Sequence, residues 1–136
     1  MSKRANSRKL AMRMIYQMDV RSATLADVFE DLEKEQYAEE TINWAYHLAK
    51  TTTDHMTDTD VIIEKYSIGW DMDRLNQLDK ALLRLGISEI NHTDTPYQVV
   101  LNEIIELSKT YSTEESSKFI NGIMGKYVKE SCSQDS

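Results

Sequence analysis

The sequence predicts an all-α protein that folds as a single domain over residues 1–136. This length is usual for one domain and allows one continuous core. Four glycines and one proline leave few positions for tight turns, and apolar residues recur at spacings of three and four, the period of an amphipathic helix. With 40% apolar and 29% charged residues, the chain has the composition of a folded globular protein. We expect seven helices and a flexible tail over about 131–136.

The N-terminal part of the chain is predicted to form three helices. The first, over about 4–20, places its apolar side chains on one face. A shorter second helix is expected to begin after an N-cap at Thr24, whose side-chain oxygen can accept a backbone N–H. The third covers about 36–54. Its inward face is predicted from steps of four, three and four along Tyr37, Thr41, Trp44 and Leu48.

Four further helices are predicted in the C-terminal part. A fourth covers about 58–66, after which Gly69 breaks the pattern. Asp71 is the expected N-cap of a long fifth helix, in which leucines recur at three and four from Leu75 to Leu85. Additional apolar residues widen this stripe to more than one side of the helix. Because such a helix must bury several faces, we place it at the centre of the bundle.

The last two helices are predicted from their start signals. Thr95 is expected to cap the sixth helix, with Pro96 at the first helical position, where proline loses no needed hydrogen bond. Ser112 to Glu115 matches the capping box, in which each side chain accepts a backbone N–H from the other end of the motif. A seventh helix is therefore predicted over about 113–129.

Charge is distributed unevenly along the chain. The formal net charge of −7 argues at first against nucleic acid, because phosphates are contacted by Lys and Arg. Residues 1–21, however, hold six bases and one acid, a charge of +5, whereas the remainder holds ten bases and 22 acids, a charge of −12. A basic segment on an acidic body is typical of nucleic-acid or membrane contact, and the acidic body suits a basic protein partner. We therefore expect two contact surfaces.

The sequence carries no signature of an enzyme or of a metal site. It lacks a Gly-rich phosphate loop and the G-x-S-x-G, H-E-x-x-H and C-x-x-C patterns. His47 and His55 lie eight residues apart, about 12 Å along a helix, which is too far for both to hold one zinc ion. Structural or surface histidines are the better interpretation. The single cysteine, Cys132, and the lack of a membrane-spanning apolar run favour the cytoplasm. We predict no enzymatic activity, metal or cofactor.

Three segments resemble the NusB family. Residues 78–90 read LDKALLRLGISEI, and residues 95–127 read TPYQVVLNEIIELSKTYSTEESSKFINGIMGKY. Residues 7–19, SRKLAMRMIYQMD, are similar to the family's arginine-rich opening helix, while about 22–68 matches only in pattern. The resemblance implies an N-terminal group of three helices packed against a C-terminal group of four, and no enzymatic activity.

The resemblance also implies partners. The family binds boxA, a short single-stranded element of the ribosomal RNA leader, together with NusE, a small-subunit ribosomal protein that doubles as an elongation factor. The pair helps RNA polymerase to read through termination signals. Two alternatives are a helical interaction protein that binds RNA weakly, and the accessory domain of an RNA cytosine methyltransferase, which would need a following cofactor-binding domain. The sequence leaves monomer and homodimer open.

The candidate RNA-binding residues follow from the resemblance and from charge. Arg4 and Arg8 fall on arginine positions of the family's basic motif, whereas Ala5 and Asn6 replace bases often found there. Lys3, Lys9 and Arg13 could supply the missing charge, although a solvated polar face is an equally good interpretation of each. Arg84 and Lys118 are secondary candidates through their motif context. The predicted RNA-binding set is Lys3, Arg4, Arg8, Lys9, Arg84 and Lys118.

For the protein partner, the resemblance points to Tyr16, Asp79, Glu115 and Phe119. An acidic surface suits a basic ribosomal protein. Glu115 could instead complete the capping box, and Phe119 could belong to the core. Asp79 lies opposite the leucine stripe of the fifth helix, which predicts that it is exposed.

Overall fold

The computed structural model describes residues 3–67 and 75–131, and these residues form seven α-helices. This confirms the predicted all-α class and the number of helices. A short 3₁₀ helix, Lys34–Gln36, was not predicted. The helices are α1 (Lys3–Arg21), α2 (Leu25–Glu30), α3 (Glu39–Asp54), α4 (Met56–Tyr66), α5 (Gln77–His92), α6 (Tyr97–Tyr111) and α7 (Glu114–Ser131).

The helices pack in two groups. Helices α1, α2 and α3 pack against one another, as do α4, α5, α6 and α7, and α5 also packs against α1 and α3. The interior of α5 is fully buried, including Leu82, Leu83 and Leu85. At Gly86, an added Cβ would lie 2.7 Å from Cε of Met124, so the absence of a side chain lets α7 approach α5 closely. The prediction that the fifth helix is central is therefore confirmed.

Several predicted helix starts were misplaced. Thr24 does cap α2, accepting the N–H of Asp27 at 3.1 Å. The predicted Asp71 cap lies outside the described residues, but α5 begins only at Gln77, because the Asn76 side chain accepts the N–H of Asp79 at 2.8 Å. Leu75 is therefore buried ahead of the helix and is not part of it. Helix α3 begins at Glu39, since the preceding 3₁₀ helix uses part of the predicted first turn.

The two C-terminal start signals also differ from the prediction. Pro96, with an extended ψ of 138°, precedes α6, and its carbonyl accepts the first helical N–H groups. Thr95 does not cap the helix with its side chain. The capping box at Ser112 and Glu115 is wrong, because Thr113 accepts the N–H of Ser116 at 2.9 Å. The predicted tail lies outside the described residues except for the last residue of α7.

Candidate RNA and partner interfaces

The N-terminal turn of α1 brings an arginine onto an aromatic ring of α3. The guanidinium carbon of Arg4 lies 3.9 Å from the ring centroid of Trp44, within the range of a cation–π contact. Arg4 is exposed and Trp44 is half-buried. The hydroxyl of Ser7, one turn further along α1, donates to the carbonyl of Thr41 at 2.9 Å and fixes the two helices against each other. This pair is an exposed platform of the kind on which a base can stack.

Arg8 requires a correction, because it is buried and not available as a direct phosphate ligand. Only 3% of its surface is exposed, and its Nε and Nη2 atoms donate to the two carboxylate oxygens of Glu89 at 2.8 and 2.7 Å. Glu89, on α5, is itself buried. The two charges neutralise each other, and the fork-to-fork geometry fixes α1 on the central helix. The structure gives Arg8 a positioning role.

A second basic and aromatic cluster lies on the other side of α1. The Nζ atom of Lys9 is 5.7 Å from the ring centroid of Tyr111, and the guanidinium carbon of Arg13 is 5.8 Å from it. Arg13 is exposed and Lys9 half-buried. With Tyr16, these residues recur at steps of four and three along α1 and so share one face. The backbone of Lys3 begins α1, but its side chain lies outside the described residues.

Arg84 and Lys118 do not join these clusters. Arg84 donates to both carboxylate oxygens of Asp60 on α4, at 2.8 and 2.9 Å, and to Asp19 on α1 at 2.9 Å. Burial lowers the pKa of Arg84, but the hydrogen bonds and charges of these carboxylates outweigh it and raise the pKa overall. The assignment of Arg84 to RNA is therefore corrected to an ion-pair link between helices. Lys118 is exposed on α7 and lines, with Phe119 and Lys126, a depression away from the α1 clusters.

The four predicted partner residues are brought together. Two depressions, of about 220 and 540 Å³, share Asn76 and Thr113 in their walls and therefore adjoin. The smaller one is lined in part by Asp79, Glu115 and Phe119, and the larger one in part by Tyr16 and Tyr111. We call these two adjoining depressions the partner groove.

Within the partner groove, Asp79 is buried, contrary to the prediction that it is exposed. Its exposed fraction is 4%, and its two carboxylate oxygens accept the hydroxyls of Ser112 at 2.9 Å and Ser116 at 2.7 Å. Asp79 thus ties the start of α5 to the turn between α6 and α7. Glu115 is exposed and free of the predicted capping box, and Phe119 is half-buried against the core. Glu115 and Phe119 therefore remain candidates for contact with a partner.

Sequence reasoning did not identify Trp44 and Tyr111 as site residues. Trp44 lies on the predicted inward face of the third helix, and nothing local distinguishes an aromatic residue of the core from one that carries a cation on its ring. The histidines give a further difference: the rings of His55 and His92 stack, with centroids 3.6 Å apart. Among residues 3–67 and 75–131, no three His, Cys, Asp or Glu side chains are grouped to hold a metal ion. Over the same residues, no helix has the length and apolar character needed to cross a membrane.

The fold and these surfaces define a class of all-helical proteins in which three helices pack against four. Residues 5–129 match the model of the NusB family. A transcription antitermination protein NusB from Acetivibrio thermocellus is 40% identical, over 95% of this chain and 90% of the relative. One from Nitratiruptor sp. is 34% identical, over 96% of this chain and 94% of the relative. The chain therefore belongs to the NusB family.

Solved structures agree with this membership. A chain from the crystal structure of antitermination factors NusB and NusE in complex with dsRNA superposes on this protein with a TM-score of 0.86 at 28% identity. The match covers 96% of this chain and 98% of that chain. The solution structure of NusB from Aquifex aeolicus gives a TM-score of 0.83 at 29% identity, over 100% of this chain and 94% of that chain. The matching relatives are named as antitermination proteins and not as enzymes, which supports the predicted non-enzymatic function.

Proposed function

We propose that this chain is a transcription antitermination factor that binds boxA RNA of ribosomal RNA leaders together with NusE. The observation that carries the proposal is the position of Tyr111, which faces the cations Lys9 and Arg13 and also lines the partner groove beside Tyr16. A basic, aromatic surface thus continues directly into a groove suited to a second protein. One helix face can in this way hold an RNA strand and its protein partner side by side.

The chemistry of this face fits single-stranded RNA. Such RNA is held by cations along its backbone and by stacking of unpaired bases on aromatic rings or guanidinium planes. Lys9 and Arg13 supply the charge, and Tyr111, 36% exposed, supplies an accessible ring. The rest of the chain is acidic, so contact with phosphates is expected to be confined to α1.

The partner groove fits a basic protein such as NusE. The acidic body of the chain steers a basic partner towards it, Glu115 offers an exposed carboxylate, and Tyr16 and Phe119 offer apolar contact area. We further propose that the ternary complex acts within the antitermination complex of RNA polymerase, in the cytoplasm. Whether the free protein is a monomer or a homodimer stays open, as in the sequence analysis.

Binding of a labelled boxA RNA dodecamer, measured across a salt series with and without NusE, tests the proposal. The informative variant is Lys9→Ala with Arg13→Ala, because Arg13 is exposed and Lys9 is only half-buried. Affinity falls as salt rises, so the slope of log affinity against log salt is negative. Loss of two phosphate contacts on a single strand should make this slope shallower by about 1.4. The matched control, Lys50→Ala with Lys65→Ala, removes the same charge from α3 and α4.

The expected result is tight, sequence-dependent binding by the wild type that improves with NusE, and a reduced salt slope only in the α1 variant. Equal slopes in the α1 and control variants would show that α1 is not the RNA surface. No binding even with NusE would favour the alternative of a helical protein that only interacts with other proteins.

A further inference from the structure

A groove of about 640 Å³ lies where the N-terminal helical group meets the connection between α5 and α6. Arg4 and Arg8 line it from α1, and Trp44 and His47 line it from α3. The connection and the start of α6 contribute Asp94, Pro96, Val99 and Glu103 among others. Neither the partner groove nor the cluster around Tyr111 shares a residue with it, so it requires its own explanation.

The floor of this groove is a rigid stacking platform. The Arg4 guanidinium covers the Trp44 ring at 3.9 Å, and the guanidinium of Arg8 lies 5.1 Å from the same ring. Arg8 is held by both oxygens of Glu89, so the buried side of the platform cannot rearrange without breaking that ion pair. Arg4 is exposed, and a guanidinium on an indole presents a flat cationic surface to solvent. This surface suits an unstacked nucleobase.

The charges around the platform favour a base over a phosphate. Asp94 and Glu103 line the groove, and their carboxylates repel a phosphate but accept hydrogen bonds from base N–H groups. Glu39 and Glu40 line a second depression, which adjoins the groove through Trp44 and His47, and their charges disfavour an RNA backbone there. These charges favour a strand that follows α1 and inserts a base into the 640 Å³ groove.

The carboxylates also indicate which base is inserted. Single-stranded RNA is read on the Watson–Crick edges of its bases. Guanine presents two adjacent donors on that edge, N1–H and the N2 amino group, and a carboxylate has two oxygens to accept them. The exposed side chain of Val99, beside Pro96, adds apolar surface for the ring.

We propose that this groove binds a single unstacked guanine of single-stranded RNA, stacked on Arg4 and Trp44 with its Watson–Crick edge towards Asp94 and Glu103. The proposal rests on the proposed function, in which the chain binds boxA RNA. It adds a base-specific site to the surface of α1, where Lys9 and Arg13 supply charge and Tyr111 supplies a ring that does not discriminate between bases.

The stacking part is tested with the labelled boxA dodecamer. Because the Trp44 ring supports the Arg4 guanidinium on which the base stacks, Trp44→Ala should weaken binding, by up to the about 5- to 150-fold that loss of one stacked base costs. Trp44→Phe keeps a ring and should retain most of the affinity. Arg4→Gln changes an exposed side chain, cannot disturb the core, and should weaken binding as well. Circular dichroism melts show whether each variant is folded.

The base-specific part is tested by replacing each guanosine of the dodecamer by inosine, which lacks the N2 amino group. At one position the wild type should lose affinity, and Asp94→Asn with Glu103→Gln should abolish that discrimination. If the wild type binds no boxA RNA, the proposed function fails and this site with it. If the wild type binds but folded Trp44→Ala and Arg4→Gln bind equally well, or inosine affects the wild type and the double variant alike, only the guanine site is overturned.

Discussion

Replacing Arg8 by methionine should destabilise the fold by about 3–5 kcal/mol. This is the usual cost of removing one partner of a buried ion pair, because the remaining charge has no compensation. The side chains of Arg8 and Glu89 are 3% and 0% exposed, so Glu89 would be left charged in the core between α1 and α5. Since a domain of this size is stable by about 5–15 kcal/mol, this one change removes a large part of the total.

A double-mutant cycle separates the interaction energy of the Arg8–Glu89 pair from the effect of replacing each residue alone. Glu89→Leu should cost a similar amount to Arg8→Met, whereas the two together should cost less than either alone, because no unpaired charge stays buried. Urea denaturation followed by circular dichroism gives the free energy of unfolding of each variant. The matched control is Lys50→Met, which breaks an ion pair with Asp54 whose side chains are 52% and 49% exposed. Because solvent screens this exposed pair, Lys50→Met should change the free energy of unfolding far less than Arg8→Met does.

Two results would refute this reasoning. One is a cost below about 1 kcal/mol for Arg8→Met, and the other is a double variant as destabilised as the sum of the single variants. The Arg8→Met variant also separates an effect on stability from an effect on RNA binding. Where it is folded, its RNA affinity should depend on salt as steeply as that of the wild type, because Arg8 contacts no phosphate. If its salt dependence were reduced as in the Lys9→Ala with Arg13→Ala variant, Arg8 would be an RNA ligand.

The helices could be predicted from the sequence because burial of a helix face depends on a local period. Several of their starts could not, because a cap depends on which neighbour is within reach. Ser112 illustrates the difference: it has the right type and spacing for a capping box, but its hydroxyl donates to Asp79, 33 residues away. Thr113 then caps α7 in its place. Asp79 in turn looked exposed because its partners were not visible in the sequence.

The candidate site, like the helices, could be predicted from the sequence only in part. Composition indicated correctly that α1 is basic. Arg8 and Arg13 are alike in type and helix, but Arg8 is buried and paired with Glu89, 81 residues along the chain, whereas Arg13 is exposed. Arg84 was selected from a family-like motif, yet its carboxylate partners come from two other helices. Which cations remain for RNA is thus decided by acidic residues distant in sequence.

Three further predictions concern stability alone. Partial loss of solvent contact, and then the charge of the adjacent His55 imidazole, lower the pKa of His92 below its usual 6.5. The folded state therefore takes up this proton less readily than the unfolded state, and stability should fall as pH drops below about 6.5. Between pH 7.5 and 5.5, the melting temperature of His92→Gln should fall by less than that of the wild type. An equal fall in both proteins would contradict this prediction. Gly86→Ala places a Cβ 2.7 Å from Cε of Met124 in the core, and such overpacking typically costs about 1–3 kcal/mol. Gly122→Ala meets nothing within 4 Å on α7, so it should stabilise by about 0.5–1 kcal/mol through helix propensity. If urea denaturation gave both alanines the same gain, the close approach of α5 and α7 would not limit the packing of the core.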